Sequence, residues 1–124
     1  MNKPLGPYTP IVRAGDWLVC SGQIGIKDGA LAEGIVAQTE QAMANVAALL
    51  ESEGASLSNV VKTTVFLASI DDWPIMNDPY LAALGDHRPA RSAFAVGALP
   101  MGALVEIEAW AFVGGGGAPG AEAT

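Results

Sequence analysis

The apolar run ALVEIEAWAFV at 103–113 constrains the fold more than any other stretch of this chain. It alternates as a β-strand does. Val105, Ile107, Ala109, Ala111 and Val113 share one face, and Leu104, Glu106, Glu108, Trp110 and Phe112 share the other. A strand with one wet face alternates apolar with polar residues. Here the second face is also largely apolar, so both faces need cover. Helices of the same chain can cover one, and another subunit is the simplest cover for the other.

Two helical patterns supply that first cover. In residues 36–53, Val36, Thr39, Met43, Val46, Ala47 and Leu50 form a stripe at 3.6-residue spacing, with Gln38, Gln41 and Asn45 beside it. Gly54 is placed to end this helix. A second helix is predicted to start near Asp71-Asp72 with Pro74 in its first turn and Trp73, Met76, Tyr80 and Leu84 as its stripe. Pro79 is expected to kink or interrupt it. Strands are predicted at 17–21, at the β-branched run 60–68, at 92–96 and at 103–113, with a hairpin signal at Lys27-Asp28-Gly29. Strands, helix, strand, helix, strands is the order of an α+β domain with both helices on one face of the sheet. At 124 residues there is room for one domain, 1–113. The Gly- and Ala-rich stretch 114–124 has nothing to bury and reads as a disordered tail.

Charge narrows the partners. Six Lys and Arg stand against thirteen Asp and Glu, for a net charge of -7. Nucleic acid is bound through clustered cations, so it is an unlikely partner for this chain. No apolar run approaches a membrane span and no signal-peptide core opens the chain, so a cytoplasmic location is expected. The single cysteine, Cys20, reads as a small buried hydrophobe, and with one histidine, His87, no zinc set assembles. Gly114 to Gly117 open no helix and are not a phosphate loop.

Charged residues inside apolar strand sequence are the candidates for chemistry. Arg91 starts one alternating run, and Glu106 lies on the last strand. A guanidinium offers a planar fork to a carboxylate, and a carboxylate can hold or activate water. Taken alone, the simpler account of Arg91 is an ion pair with Glu106 or Glu108. Tyr8, in Gly6-Pro7-Tyr8, either reaches over a ligand or packs as a loop aromatic. Ser21-Gly22 offers a hydroxyl and a close-approach backbone position, with no base to make Ser21 a nucleophile. Asn77 is a ligand donor or an exposed helix residue.

Several motifs occur together: Gly6-Pro7-Tyr8, Ser21-Gly22-Gln23, the helix QTEQAMANVAALLESEGA, the strand VVKTTVFLA with Asp71-Asp72, Met76-Asn77 with Tyr80, Pro89-Ala90-Arg91-Ser92, and Leu99-Pro100 before VEIEA. In this order they closely resemble the Rid family of reactive intermediate deaminases, the YjgF-type proteins. The resemblance implies a chorismate-mutase-like α+β fold with a mixed sheet. It implies a homotrimer whose sheets form a central barrel, with clefts between subunits. It implies hydrolysis of 2-enamines and 2-imines, such as 2-aminoacrylate, to 2-keto acids and ammonia, without metal or organic cofactor.

Carried onto this chain, the resemblance makes Arg91 the carboxylate-binding arginine and Glu106 the residue that orients or activates water. Tyr8, Ser21, Gly22 and Asn77 fall on cleft-lining positions. The chain departs from the family pattern at Pro10, Pro79 and Ala93, changes that bear on the shape of the cleft. The rival within the family is a member that binds small carboxylates, or regulates a partner, without turnover. Binding alone needs only the arginine, so the presence of both Arg91 and Glu106 favours catalysis.

Overall fold

The computed structural model describes residues 1–114. The order of elements is β1 (Ile11–Ala14), β2 (Trp17–Ile24), β3 (Ile26–Lys27), β4 (Ala30–Leu31), α1 (Gly34–Glu51), β5 (Val60–Leu67), α2 (Trp73–Leu84), β6 (Ala90–Ala95) and β7 (Val105–Phe112). Five strands form one mixed sheet in the order β1-β2-β7-β5-β6. Only β5 and β6 run parallel, joined by the α2 crossover. The expected tail lies, apart from Gly114, outside the described residues.

Both helices pack on one face of the sheet, as expected. Val105, Ile107, Ala109 and Ala111 of β7 are fully buried there. Val46, Leu49 and Leu50 of α1 meet the β2 side, and Met76, Tyr80 and Leu84 of α2 meet the β5 side. The opposite face is open in the single chain. Val12, Trp17, Phe94 and Trp110 stand 38–48% exposed on it. Trp17 packs edge-on against Phe112 at 5.2 Å, and Phe66 against Phe94 at 5.4 Å. Four exposed large apolar side chains on one flat face are more than scattered surface residues.

Several boundaries differ from the sequence reading. Strand β1 was not anticipated: four residues with three exposed positions carry too little alternation to register. Strand β2 runs on to Ile24, because a bulge between Cys20 and Gln23 absorbs Ser21-Gly22 instead of ending the strand. In α1, Val36 is 45% exposed and Gln38 is buried. Gln38 is tolerated inside because its Oε1 accepts the Leu104 N–H at 2.8 Å. Helix α2 continues through Pro79. That ring lies buried beside Met76 and Tyr80, and packing of this face offsets the missing N–H. The turn at Asp28-Gly29 has φ of 53° and 81°, the positive pair of a two-residue hairpin. Gly54, at φ 77°, follows the α1 terminus as expected. Cys20 is 1% exposed, and burial pushes its thiol up to about 11.

One close approach fixes how α1 crosses the sheet. A Cβ on Gly25 would sit 2.5 Å from the Gln38 carbonyl oxygen and 2.6 Å from its Cα. The chain between β2 and β3 therefore lies directly on the backbone of α1. Asn45 adds two hydrogen bonds from its Nδ2, to the carbonyls of Ile24 and Ile26.

Candidate active site

Glu106 sits between Ile24 of β2 and Phe66 of β5, on the open face. Across from it the β2 bulge presents Gly22, and a Cβ there would occupy the Glu106 carboxylate. The bulge thus gives the carboxyl group room to lie over the β2 backbone. The cleft around it is closed by Pro7 and Tyr8, by Ser21 and Gly22, and by Pro100. Tyr8 is 44% exposed, and its hydroxyl accepts the Leu5 N–H at 3.2 Å, which folds the N-terminal segment over the cleft. Ser21 Oγ has the Gln23 amide as its neighbour at 3.4 Å and no base. Burial raises the Glu106 carboxyl above the usual glutamate range, and the neighbouring Glu108 charge adds to the rise.

Arg91 lies elsewhere. It pairs in register with Thr63 of β5, and Thr63 pairs with Ala109 on the helix-covered face. The guanidinium meets α2: Nη1 donates to Asn77 Oδ1 at 2.8 Å. It stands over the Tyr80 ring at 5.0 Å and the Trp73 ring at 5.7 Å. The pocket beside it is lined by Asn77, Tyr80, Arg88, Pro89 and Arg91.

An ion pair between Arg91 and Glu106 or Glu108 is therefore ruled out within one chain. Strand β5 separates β6 from β7, so the two are not on neighbouring strands, and the side chains leave opposite faces of the sheet. Among the described residues the one ion pair joins Arg13 to Glu53. The structure brings Tyr8, Ser21, Gly22 and Glu106 together, and it brings Asn77 and Arg91 together, as two separate clusters.

Residues 1–113 match the model of the family described as Endoribonuclease L-PSP. The chain belongs to this family, the Rid (YjgF) proteins. A RutC family protein of Pyrococcus horikoshii is 43% identical over 113 residues, 89% of this chain and 90% of the relative. The 2-iminobutanoate/2-iminopropanoate deaminase of Salmonella typhimurium is 40% identical over 115 residues, covering 87% and 90%. The crystal structure of RidA from an Antarctic Psychrobacter superposes with a TM-score of 0.87 at 38% identity, covering 90% and 92%.

Within this Rid chain, sequence reasoning missed Trp73 and Tyr80 as partners of Arg91, having given them to the apolar stripe of α2. Their spacing around Asn77 was the available signal: Trp73, Asn77 and Tyr80 follow at i, i+4 and i+7 and so share one helix face. Among the described residues no three His, Cys, Asp or Glu side chains converge as metal ligands, and no helix is long and apolar enough to cross a membrane.

Proposed function

We propose that this protein hydrolyses 2-imino acids and their 2-enamine tautomers to 2-keto acids and ammonia, in clefts completed between the copies of a homotrimer. The observation that carries the reading is the division of the site. The Glu106 cleft lacks a cation, and the Arg91 pocket lacks a carboxylate among its lining residues. A head-to-tail ring of three copies, with open faces inward, would bury Trp17, Phe94 and Trp110 and set one copy's Glu106 against the next copy's Arg91. Deaminase-named relatives at about 40% identity support the chemistry. The location expected for such an activity in this chain is the cytoplasm.

The chemistry follows from the two groups. Arg91 grips the substrate carboxylate and so orients the imine carbon. Glu106 holds a water molecule and takes its proton as oxygen adds to that carbon. It gives that proton to nitrogen, forming the carbinolamine, and then relays the remaining hydroxyl proton to nitrogen as the C–N bond breaks and C=O forms, releasing ammonia and leaving a 2-keto acid. A carboxyl raised above its usual range suits both duties, because it is a stronger base than an ordinary glutamate and can still return the proton. The reading invokes no metal or organic cofactor. The family's description names an endoribonuclease, but the net charge of -7 disfavours RNA for this member.

The test is ammonia release from enzymatically generated imino acids. Arg91→Ala should weaken substrate binding by roughly ten- to a hundredfold, the loss of one charge-assisted contact. Arg91→Lys should restore little, since an ammonium lacks the planar fork. Equal activity of wild type and Arg91→Ala on every imino acid would sink the proposal. Saturable binding of 2-keto acids with no turnover would move the protein to the carboxylate-binding, partner-regulating reading.

A further inference from the structure

The Arg91 pocket contains a polar pair that neither the hydrolytic step nor the packing accounts for. Thr63 and Tyr80 are 1% and 3% exposed, and their hydroxyls lie 2.6 Å apart between the sheet and α2. Such a pair returns little net stability, because each hydroxyl gives up water to gain the other. Its effect is geometric: it fixes where the Tyr80 ring lies. That ring stands under the guanidinium of Arg91. Thr63 is itself the residue opposite Arg91 in the parallel β5–β6 ladder. Thr63, Tyr80 and Arg91 thus close a triangle, with one side a backbone register, one a hydrogen bond and one a cation–ring contact.

We infer that Tyr80, braced by Thr63, is a positioning residue that holds the Arg91 fork ready for a carboxylate. This rests on the reading of Arg91 as the carboxylate grip. The Tyr80 and Trp73 rings lie against the guanidinium, with centroids 5.0 Å and 5.7 Å from its central carbon, and Asn77 takes a hydrogen of Nη1. Among the described residues Nη2 and Nε donate to no protein group, and they are the adjacent pair a two-oxygen anion requires. A free arginine side chain loses rotamer freedom when it binds an anion. One already clamped has lost it beforehand, so the same contact binds more tightly.

The experiment compares wild type, Tyr80→Leu and Tyr80→Phe in two measurements. One is calorimetric titration with pyruvate, and the other is the 15N spectrum of the Arg91 Nε–Hε group without ligand. Tyr80→Leu should weaken pyruvate binding roughly three- to thirtyfold, the range of a cation–ring contact. It should raise KM for the imine far more than it lowers kcat. Tyr80→Phe keeps the ring but loses the Thr63 brace, and should fall between wild type and Tyr80→Leu. The Arg91 resonance should be distinct in wild type and averaged in Tyr80→Leu. Unchanged affinity with an unchanged resonance in Tyr80→Leu overturns the inference. If wild type does not bind pyruvate, the carboxylate reading fails, and the resonance alone decides whether Tyr80 orders Arg91. If Tyr80→Leu does not fold, the volume-preserving pair Thr63→Val with Tyr80→Phe takes its place. A loosened Arg91 resonance there supports the brace, and an unaltered one overturns it.

Discussion

Gly22 and Glu106 share one space: the volume a Cβ would take on Gly22 is filled by the Glu106 carboxylate. Any side chain at 22 must push that carboxylate aside. Gly22→Ala should therefore mimic the loss of Glu106 without touching it. Both Gly22→Ala and Glu106→Gln should lower kcat by roughly a hundredfold or more, the usual worth of a positioned acid–base group. Pyruvate affinity should fall far less, because the proposed grip is that of Arg91. Steady-state ammonia release beside pyruvate titration separates the two effects. Normal kcat in Gly22→Ala would show that the carboxylate need not lie where it does.

The raised Glu106 carboxyl has a pH signature. The folded chain holds this proton more tightly than the unfolded chain. Its influence on stability is therefore most favourable below the ordinary glutamate pKa of about 4.3, and declines as pH rises through the raised folded value. Glu106→Gln should remove that decline. Thermal melts of the two proteins from acid to neutral pH should diverge, with the variant gaining on wild type as pH increases. Parallel curves would place Glu106 in an ordinary solvent environment.

Gly25→Ala should destabilise the fold by about 1–3 kcal/mol, the cost of forcing a methyl into filled space. The obstacle is the Gln38 backbone, which cannot rotate away as a side chain would. Urea unfolding measures the loss. Gly97→Ala, where a Cβ meets nothing within 4 Å, serves as the control.

Trp110→Lys places a charge on the open sheet face, where Trp110 is 45% exposed in the single chain. Light scattering should give a trimer mass for wild type and a smaller species for the variant, with far-ultraviolet circular dichroism unchanged. A wild-type monomer at micromolar concentration would refute assembly through this face.

What the sequence revealed and what it hid divide along physical lines. The two apolar faces of β7, the buried Cys20 and the Asp28-Gly29 turn were legible because period and turn chemistry are local. Gln38 was misplaced because its burial depends on the Leu104 N–H, 66 residues away. Pro79 was read by its local rule, which the packed face of α2 overrides. Strand order was the costliest gap. Nothing in the local pattern says that β5 inserts between β6 and β7, and this insertion separates Arg91 from Glu106. The candidate residues could be named from the chain, whereas their separation into two clusters belongs to the topology.

The β5–α2–β6 crossover has a consequence for how the protein can be re-engineered. Thr63, Trp73, Asn77, Tyr80 and Arg91 all come from this one continuous stretch, whereas the Glu106 cleft draws on both the N-terminal segment and the final strand. The proposed anion grip is thus a cassette, transplantable between relatives as a single block of chain. The proposed water-handling wall is woven from distant segments and can be changed only piecemeal.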